Sequence, residues 1–344
     1  MRRAVALASS VDEATHPNPN VGAVVLDRDG VAVGEGRHEQ VGGWHAEVAA
    51  LAAAGSRAAG GTVVVTLEPC AHTGRTGPCT QALVDAGVVR VVYAVGDPTP
   101  RAAGGADQLR AAGVEVEVGL LAAEAEQANE RWLTGVRLGR PFVVWKLATT
   151  LDGRVAAADG TSRWISSPES RADAHVLRSR VDAIVAGIGT VLADDPALTV
   201  RDEAGRTVGE QPLRVVVDTH GRTPDTARVR DAAAPTWVAT GADVGVDASG
   251  EVDLPSLLGA LHAKGHGYVL LEGGPTLAGG FLRAGLVDRV VAYLAPTLLG
   301  AGAAALSGTG ITTLADGVRL EVTEVTRCGP DVRVTARPRR EEGT

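Results

Sequence analysis

Short apolar runs and stretches of helical composition alternate in the first part of the chain. Apolar runs at 21–26 and 31–36 flank the polar turn sequence 27–30, and this pattern predicts a β-hairpin. Helices are predicted at 2–14 and at 45–55. Beyond them the pattern predicts strands at 62–67, 88–95 and 114–118 and helices at 78–86, 106–112 and 120–137. This order indicates a three-layer α/β/α domain.

A domain boundary is predicted at Leu138-Gly139-Arg140-Pro141, where a helix ends and a new strand begins. The chain is thereby divided into residues 1–140 and 141–344. In the second part, a strand opening at Pro141 and a helix at 168–179 are followed by strands that lead into glycine-containing turns. The absence of a Gly-x-Gly-x-x-Gly motif there argues against a standard Rossmann dinucleotide site.

The end of the chain favours a dihydrofolate-reductase-like α/β domain for the second part. Apolar runs at 289–295, 320–328 and 332–337 predict late strands with antiparallel neighbours, as in that architecture. The strand before Gly273-Gly274 opens into a helix that begins at Pro275. The backbone amides of such a helix start suit the phosphates of a cofactor, although a glycine turn is also common where a sheet packs tightly.

Composition narrows the class of partner. The length of 344 residues favours two domains, and 33 basic against 41 acidic residues give a net charge of −8. This balance argues against a nucleic-acid partner and favours small molecules. The N-terminus makes a poor signal peptide, and the sequence has no apolar run of about 18 to 20 residues. We therefore expect a cytoplasmic protein without a membrane partner.

Three residues have the character of zinc ligands. Cys70 and Cys79 each follow a proline, and His45 opens a predicted helix. Two thiolates and one imidazole suit Zn²⁺ and leave a fourth position for water. Glu47, two residues after His45, is placed to accept a proton from that water and return it to a leaving amine, as in zinc deaminases of nucleobases. The alternative is that the cysteines are small buried residues and His45 only begins a helix.

The eight residues between Cys70 and Cys79 are longer than the two found in the usual Pro-Cys-x-x-Cys pattern. This insert contains His72 and Arg75, whose side chains suit an anion near the metal. The sequence therefore predicts a phosphorylated substrate for the zinc site.

The segments THPNPNVGAVV, GWHAEVAAL and TLEPCAHTGRTGPC resemble the deaminase half of the bifunctional riboflavin-biosynthesis deaminase/reductase family, and the likeness covers nearly the whole chain. The resemblance implies zinc-dependent deamination of 2,5-diamino-6-ribosylamino-4(3H)-pyrimidinone 5′-phosphate, then NADPH reduction of the ribosyl side chain. It implies a homodimer or larger assembly. In the first domain it makes His45, Cys70 and Cys79 the zinc ligands and Glu47 the proton shuttle. It also implies substrate contacts at Asn18, His72 and Arg75. The sequence TGPC, where the family usually has TPPC, changes loop stiffness rather than chemistry.

The same resemblance implies two sets of contacts in the second domain. Substrate contacts are implied at Ser162, Arg178, Leu198, Arg201 and Glu272. NADPH contacts are implied at Ala148, Trp164, Thr190, Asp194, Thr219, Gly274, Pro275, Thr276, Leu277, Ala278, Gly279 and Gly280. Arg178 and Arg201 have the chemistry of clamps on a ribose phosphate.

Some interpretations remain open from the sequence. Lys146 lies on an apolar strand and either has a role there or reaches solvent at the strand end. His175 is expected to be a solvated helix residue, and Cys328 an ordinary core or edge thiol. Two other functions compete with the riboflavin enzyme: a nucleic-acid or nucleotide deaminase with a non-catalytic nucleotide-binding module, and a zinc-stabilised ligand sensor.

Overall fold

The computed structural model describes residues 1–11, 15, 17–72, 77–100 and 102–339. The chain forms two compact units, Met1–Gly139 and Arg140–Thr344. None of the helices in these described ranges combines the length and the apolar character needed to cross a membrane.

The first unit is built on one mixed sheet. Its strands are β1 (Gly22–Leu26), β2 (Ala32–Arg37), β3 (Thr62–Leu67), β4 (Arg90–Val95) and β5 (Glu115–Val118). They lie in the order β2-β1-β3-β4-β5, with β1 antiparallel to both neighbours and β3, β4 and β5 parallel. The helices are α1 (Arg2–Ser9), α2 (Ala46–Ala54), α3 (Cys79–Asp85), α4 (Gly105–Ala111), α5 (Ala122–Ala128) and α6 (Glu130–Leu138). The predicted α/β class is confirmed.

Helix α2 lies very close to strand β2 because the strand presents glycine to it. A Cβ atom at Gly36 would come within 2.2 Å of the carbonyl oxygen of Ala46, the first residue of α2. A side chain at this position would therefore push the start of the helix away from the sheet. The close approach fixes the helix start, and with it His45, which is the N-cap residue of α2.

The predicted helix at 120–137 is wrong as a single element, because Asn129 separates α5 from α6. The side chain of Asn129 is buried and makes two hydrogen bonds with the backbone of Asn20. Its Oδ1 accepts from the Asn20 amide at 2.7 Å, and its Nδ2 donates to the Asn20 carbonyl at 2.6 Å. The break thus anchors the chain that leads into β1. The predicted helix 2–14 is seen as α1, and residues 12–14 lie outside the described part.

The second unit is built on one long sheet. Its strands are β6 (Phe142–Thr150), β7 (Ala183–Gly187), β8 (Leu213–Val217), β9 (Thr236–Ala239), β10 (Tyr268–Leu271), β11 (Arg289–Ala295), β12 (Leu320–Cys328) and β13 (Asp331–Pro338). They lie in the order β12-β13-β11-β6-β10-β7-β8-β9. The helices are α7 (Pro168–Arg178), α8 (Ile188–Asp194), α9 (Gly241–Val244), α10 (Leu254–Ala263) and α11 (Pro275–Arg283).

The late strands differ in part from the prediction. Strand β13 is antiparallel to both β11 and β12, as expected. Strand β11, however, also pairs in parallel with β6, so it extends the parallel part of the sheet instead of leaving it. The parallel strands β6, β10, β7 and β8 form the buried centre of the sheet, and β9 is its half-buried edge. Helix Pro275–Arg283 connects β10 to β11, and this crossover allows β11 to run parallel to β6.

Candidate active sites

The predicted zinc ligands of the first unit come together from three elements. His45 caps the start of α2, Cys70 follows β3 in a loop, and Cys79 is the first residue of α3. The Nδ1 atom of His45 lies 3.1 Å from the Cys79 sulfur and 3.6 Å from the Cys70 sulfur. The three ligand atoms all lie within 4.8 Å of one another.

This cluster fits a zinc ion. With bonds of about 2.3 Å to sulfur and about 2.1 Å to nitrogen, tetrahedral geometry puts a nitrogen and a sulfur ligand about 3.6 Å apart. The 3.6 Å distance to the Cys70 sulfur equals that spacing, and the 3.1 Å distance to the Cys79 sulfur is shorter, so a bound ion would draw His45 and Cys79 slightly apart. Both thiols are buried, and their mutual hydrogen bond lowers the pKa of the Cys70 thiol while it raises the pKa of the Cys79 thiol. One thiol of the pair is therefore ready to be a thiolate.

The loop that carries Cys70 is held by Glu68. The Glu68 carboxylate accepts hydrogen bonds from the backbone amides of Ala106, at 2.9 Å, and Asp97, at 3.2 Å. In addition, a Cβ at Gly105 would lie 1.8 Å from the carbonyl oxygen of Pro69. The ligand loop and the start of α4 are therefore in direct backbone contact, which fixes the position of Cys70.

Glu47 lies in the first turn of α2, next to the cluster. Its side chain is buried, with 4% exposure, and burial raises the pKa of the carboxyl. A carboxyl group with a raised pKa exchanges a proton more readily near neutral pH than an exposed one does. The structure thus gives Glu47 the environment of an acid and base.

His38 belongs to this site, although the sequence analysis did not identify it. Its Nδ1 lies 2.9 Å from the Trp44 carbonyl, so this nitrogen must donate, and Nε2 must accept from the Asn18 Nδ2 at 3.1 Å. The His38 ring also makes an edge contact with the His45 ring, with centroids 5.7 Å apart. These contacts orient the Asn18 amide and leave its Oδ1 as an acceptor. No local sequence signal marks His38, which follows an unremarkable edge strand.

The insert is only partly described. Nδ1 of His72 is buried and has no hydrogen-bond partner among the described residues, which is consistent with a ligand-binding position. Arg75 lies outside the described residues.

In the second unit, a cleft of about 2050 Å³ lies at the carboxyl ends of the parallel strands β6, β7, β8 and β10. It brings together predicted substrate residues Ser162, Arg178, Leu198, Arg201 and Glu272. It is also lined by predicted cofactor residues Ala148, Trp164, Thr190, Asp194, Thr219, Gly274, Pro275, Thr276, Leu277 and Gly280. Ala278 and Gly279 do not line the cleft: Ala278 packs in the core, and Gly279 lies against the Ser307 backbone.

Glu272 and Arg178 form a buried ion pair in this cleft. Nε and Nη2 of Arg178 donate to the two carboxylate oxygens at 2.6 and 2.9 Å, and Nη1 donates to the Thr199 carbonyl at 3.0 Å. Burial disfavours the carboxylate, but Arg178 outweighs that effect and lowers the pKa of Glu272 to about 2. Glu272 is therefore ionised, and Arg178 is held in one orientation.

Lys146 does not behave as a strand-end lysine. Its ammonium lies 4.0 Å from a Glu272 oxygen, and only 18% of its side chain is exposed. Burial lowers the pKa of the Lys146 ammonium. The interpretation that Lys146 reaches solvent is wrong, because its side chain turns into the cleft toward the carboxylate.

His175 is also not a solvated helix residue. It lines the cleft, and its Nδ1 accepts a hydrogen bond from the Arg201 backbone amide at 3.2 Å. Burial, followed by the charges of Arg178 and Arg201, lowers the pKa of His175 to about 4. The imidazole is therefore neutral near pH 7, with a hydrogen on Nε2. The Nε of Arg201 is buried without a hydrogen-bond partner in the described part of the chain.

Comparison with known proteins matches both units. Residues 141–334 match the family described as RibD C-terminal domain, and residues 1–95 match the cytidine and deoxycytidylate deaminase zinc-binding region. The riboflavin biosynthesis protein RibD of Mycobacterium tuberculosis is 46% identical over 333 residues, which cover 96% of this chain and 94% of that protein. The Escherichia coli RibD protein is 43% identical over 355 residues, covering 96% of each chain. The chain belongs to the RibD family.

Solved RibD structures agree with this assignment along the chain. The structure of Acinetobacter baumannii RibD, form 1, has a TM-score of 0.81 at 37% identity and covers 98% of both chains. A Thermotoga maritima structure, described as a diaminohydroxyphosphoribosylaminopyrimidine deaminase/5-amino-6-(5-phosphoribosylamino)uracil reductase, has a TM-score of 0.81 at 34% identity. It covers 98% of this chain and 97% of its own.

As a RibD protein, the chain is a bifunctional deaminase and reductase of riboflavin biosynthesis. Zinc is the metal of the deaminase half, in agreement with the His45, Cys70 and Cys79 cluster, and NADPH is the reductant of the reductase half. The predicted function and cofactors are confirmed. The roles of the individual contact residues stay predictions.

Proposed function

We propose that residues 1–140 remove an amino group from 2,5-diamino-6-ribosylamino-4(3H)-pyrimidinone 5′-phosphate by hydrolysis. Residues 141–344 then reduce 5-amino-6-(5-phosphoribosylamino)uracil with NADPH. The observation that carries the first step is the three-ligand cluster with the buried carboxyl of Glu47 beside it. The Thermotoga maritima relative is described as both a deaminase and a reductase, which supports the pairing of the two steps.

In the deaminase half, we assign the zinc ion to His45, Cys70 and Cys79, where it would polarise a bound water. Glu47 takes a proton at its carboxylate and returns it to the leaving amine, and its burial keeps that proton exchange away from bulk water. The Oδ1 of Asn18 accepts a hydrogen bond from the pyrimidine, because His38 occupies the other end of the amide. We place the substrate phosphate near His72, with Arg75 as its predicted cationic partner.

In the reductase half, the chain binds and orients its ligands. Glu272 accepts hydrogen bonds from Arg178 and lies beside Lys146. The polar groups of the pyrimidine therefore bind to charged side chains whose orientation is already fixed. Arg201, whose buried Nε has no partner in the described residues, is available for the substrate phosphate. NADPH supplies the hydride when it is bound.

We assign the cofactor phosphates to the start of helix Pro275–Arg283. The Gly274 amide already donates to the Thr190 hydroxyl at 3.1 Å, which brings the two predicted cofactor segments together. The first amides of this nine-residue helix are suited to anions. Ala278 and Gly279 support the helix from the core side rather than touching the cofactor.

We further propose that the enzyme acts in the cytoplasm as a homodimer or larger assembly and has no nucleic-acid partner. The net charge of −8 supports the preference for small molecules. All three cysteines are free thiols, which suits a reducing compartment. The proposal of a homodimer or larger assembly is based on the family resemblance alone.

The test is an assay of the purified full chain with the diaminopyrimidine phosphate, with and without NADPH, together with zinc analysis. We expect one zinc per chain, deamination without NADPH, and NADPH oxidation only after deamination. NADPH that is stable in the presence of the deaminated pyrimidine would leave the second unit as a binding module. Deamination of single-stranded DNA, with binding that weakens steeply with salt, would favour the nucleic-acid alternative.

A further inference from the structure

Arg228 lines the reductase cleft and has no role in the site described above. It begins the short 3₁₀ turn Arg228–Arg230 and is exposed. Its guanidinium makes no hydrogen bond or ion pair with the residues that the structure describes. Its charge does act on Asp231, but the Asp231 carboxylate accepts its hydrogen bond from Arg214. An arginine that faces a cleft without a hydrogen-bond or ion-pair partner has its guanidinium donors available for a ligand.

The backbone of Arg228 is fixed on both sides. Its amide donates to Oδ1 of Asp195 at 2.8 Å, and its carbonyl accepts from Nη1 of Arg214 at 3.3 Å. Arg214 is fully buried, and the same Nη1 also donates to the Ala197 carbonyl at 3.2 Å. A buried arginine therefore joins the turn at Arg228 to the segment that starts at Asp195.

That segment carries a predicted phosphate ligand. Leu198 and Arg201 follow Ala197 and line the same cleft as Arg228. Burial lowers the pKa of the Arg201 guanidinium, and the nearby charges of Arg178 and Arg228 lower it further. Arg178, Arg201 and Arg228 thus line one cleft, and Glu272 pairs directly only with Arg178. Such a cluster is stabilised when an anion binds between the cations.

We propose that Arg228 is a specificity-determining residue of the reductase half, which binds the phosphate monoester of the ribosylamino substrate together with Arg201. The inference rests on the proposed function. The substrate is favoured over the cofactor as the source of the phosphate because the Arg201 backbone amide donates to His175, an imidazole on which the charges of Arg178 and Glu272 act. The cofactor phosphates have a separate proposed binding site at the start of helix Pro275–Arg283.

The main variant is Arg228→Gln, which removes the charge at an exposed position and keeps a polar side chain. A charge-assisted contact to phosphate is strong enough that its loss raises the KM for the phosphorylated aminouracil by about tenfold or more. We expect kcat and the KM for NADPH to stay at the wild-type values. Arg228→Lys, which keeps the charge but not the planar fork, is expected to have an intermediate KM.

The matched control is Arg230→Gln. Arg230 lies in the same 3₁₀ turn and carries the same charge, but its Nη2 donates to the Thr223 carbonyl and it does not line the cleft. This variant should keep the wild-type KM. An equal rise in both variants would overturn the proposal, because a general surface-charge effect or a disturbed turn would then explain it.

A second comparison identifies the phosphate. With the dephosphorylated aminouracil riboside as substrate, Arg228→Gln and the wild type should have the same KM, because the proposed contact is missing from both. Inorganic phosphate should inhibit the wild type more strongly than the variant. A rise in the KM for NADPH would overturn the proposal in favour of a cofactor contact, and an unchanged KM for every ligand would exclude any role. If the wild type itself does not oxidise NADPH, the proposed function has failed instead.

Discussion

The buried side chain of Asn129 connects the break between α5 and α6 to the chain that carries Asn18. In the variant Asn129→Ala, two hydrogen bonds to the Asn20 backbone, at 2.7 and 2.6 Å, are lost. Each neutral hydrogen bond contributes about 1 kcal/mol, and a buried group left without a partner costs about 1 to 3 kcal/mol. We therefore expect the free energy of unfolding of the deaminase half to fall by between about 2 and about 4 kcal/mol.

The effect should be specific to one half of the enzyme. A loss of this size lowers the Tm of a unit of this length by about 10 °C. Because Asn20 lies two residues after Asn18, a loosened segment should also raise the KM for deamination. The reductase half provides an internal reference, since its kcat and KM should not change. Calorimetry of the full chain, with both activities measured on the same sample, tests the three expectations together.

The control variant is Gln127→Ala, in the helix just before the break. Gln127 is exposed, and its side chain has no hydrogen bond within the described residues. This substitution should leave Tm and both activities unchanged. If Asn129→Ala has the same Tm as this control and the wild-type KM for deamination, the two hydrogen bonds do not stabilise the site. That result would refute the reasoning.

Three further predictions concern the chemistry and stability of the sites. Glu47→Gln should lower deamination by a factor of about 10² to 10⁴ while reduction of the deaminated intermediate continues, and a variant that still deaminates at the wild-type rate would remove the proposed proton shuttle. His175 has a folded-state pKa of about 4 against an ordinary value of 6.5, so the unfolded chain takes up a proton in this window that the folded chain does not. Protonation of His175 in the unfolded chain thus lowers the free energy of unfolding as pH falls from 6.5 to 4. In urea unfolding, the free energy of unfolding of His175→Gln should fall less steeply over this pH range than that of the wild type, and equal slopes would contradict the assignment. Gly105→Ala places a Cβ 1.8 Å from the Pro69 carbonyl, so it should displace Cys70 and reduce the zinc content per chain; full zinc occupancy would show that the loop can move without loss of the site.

Local patterns determined much of the fold. Strand β3 has the predicted bounds, 62–67, because its valines and threonines form a run that suits a buried strand between turn residues. The residues of the His/Cys/Cys cluster were also predicted from the sequence, since proline-cysteine pairs and a His-x-Glu helix start carry their chemistry in a few neighbouring residues. Family resemblance added predicted contacts that no local pattern shows, such as Thr219 and Leu198, and both residues line the cleft.

The tertiary structure decided the features that depend on residues far apart in the chain. The helix break at Asn129 depends on Asn20, and the orientation of Lys146 depends on Glu272. His175 is neutral only because folding buries it beside Arg178, and the turn at Arg228 is fixed by Arg214. Helical or strand periodicity reports which face of an element is apolar, but it does not report which distant polar group that face will meet. The sequence therefore determined the elements and the metal chemistry, whereas long-range hydrogen bonds and burial decided the charge and orientation of the side chains around them.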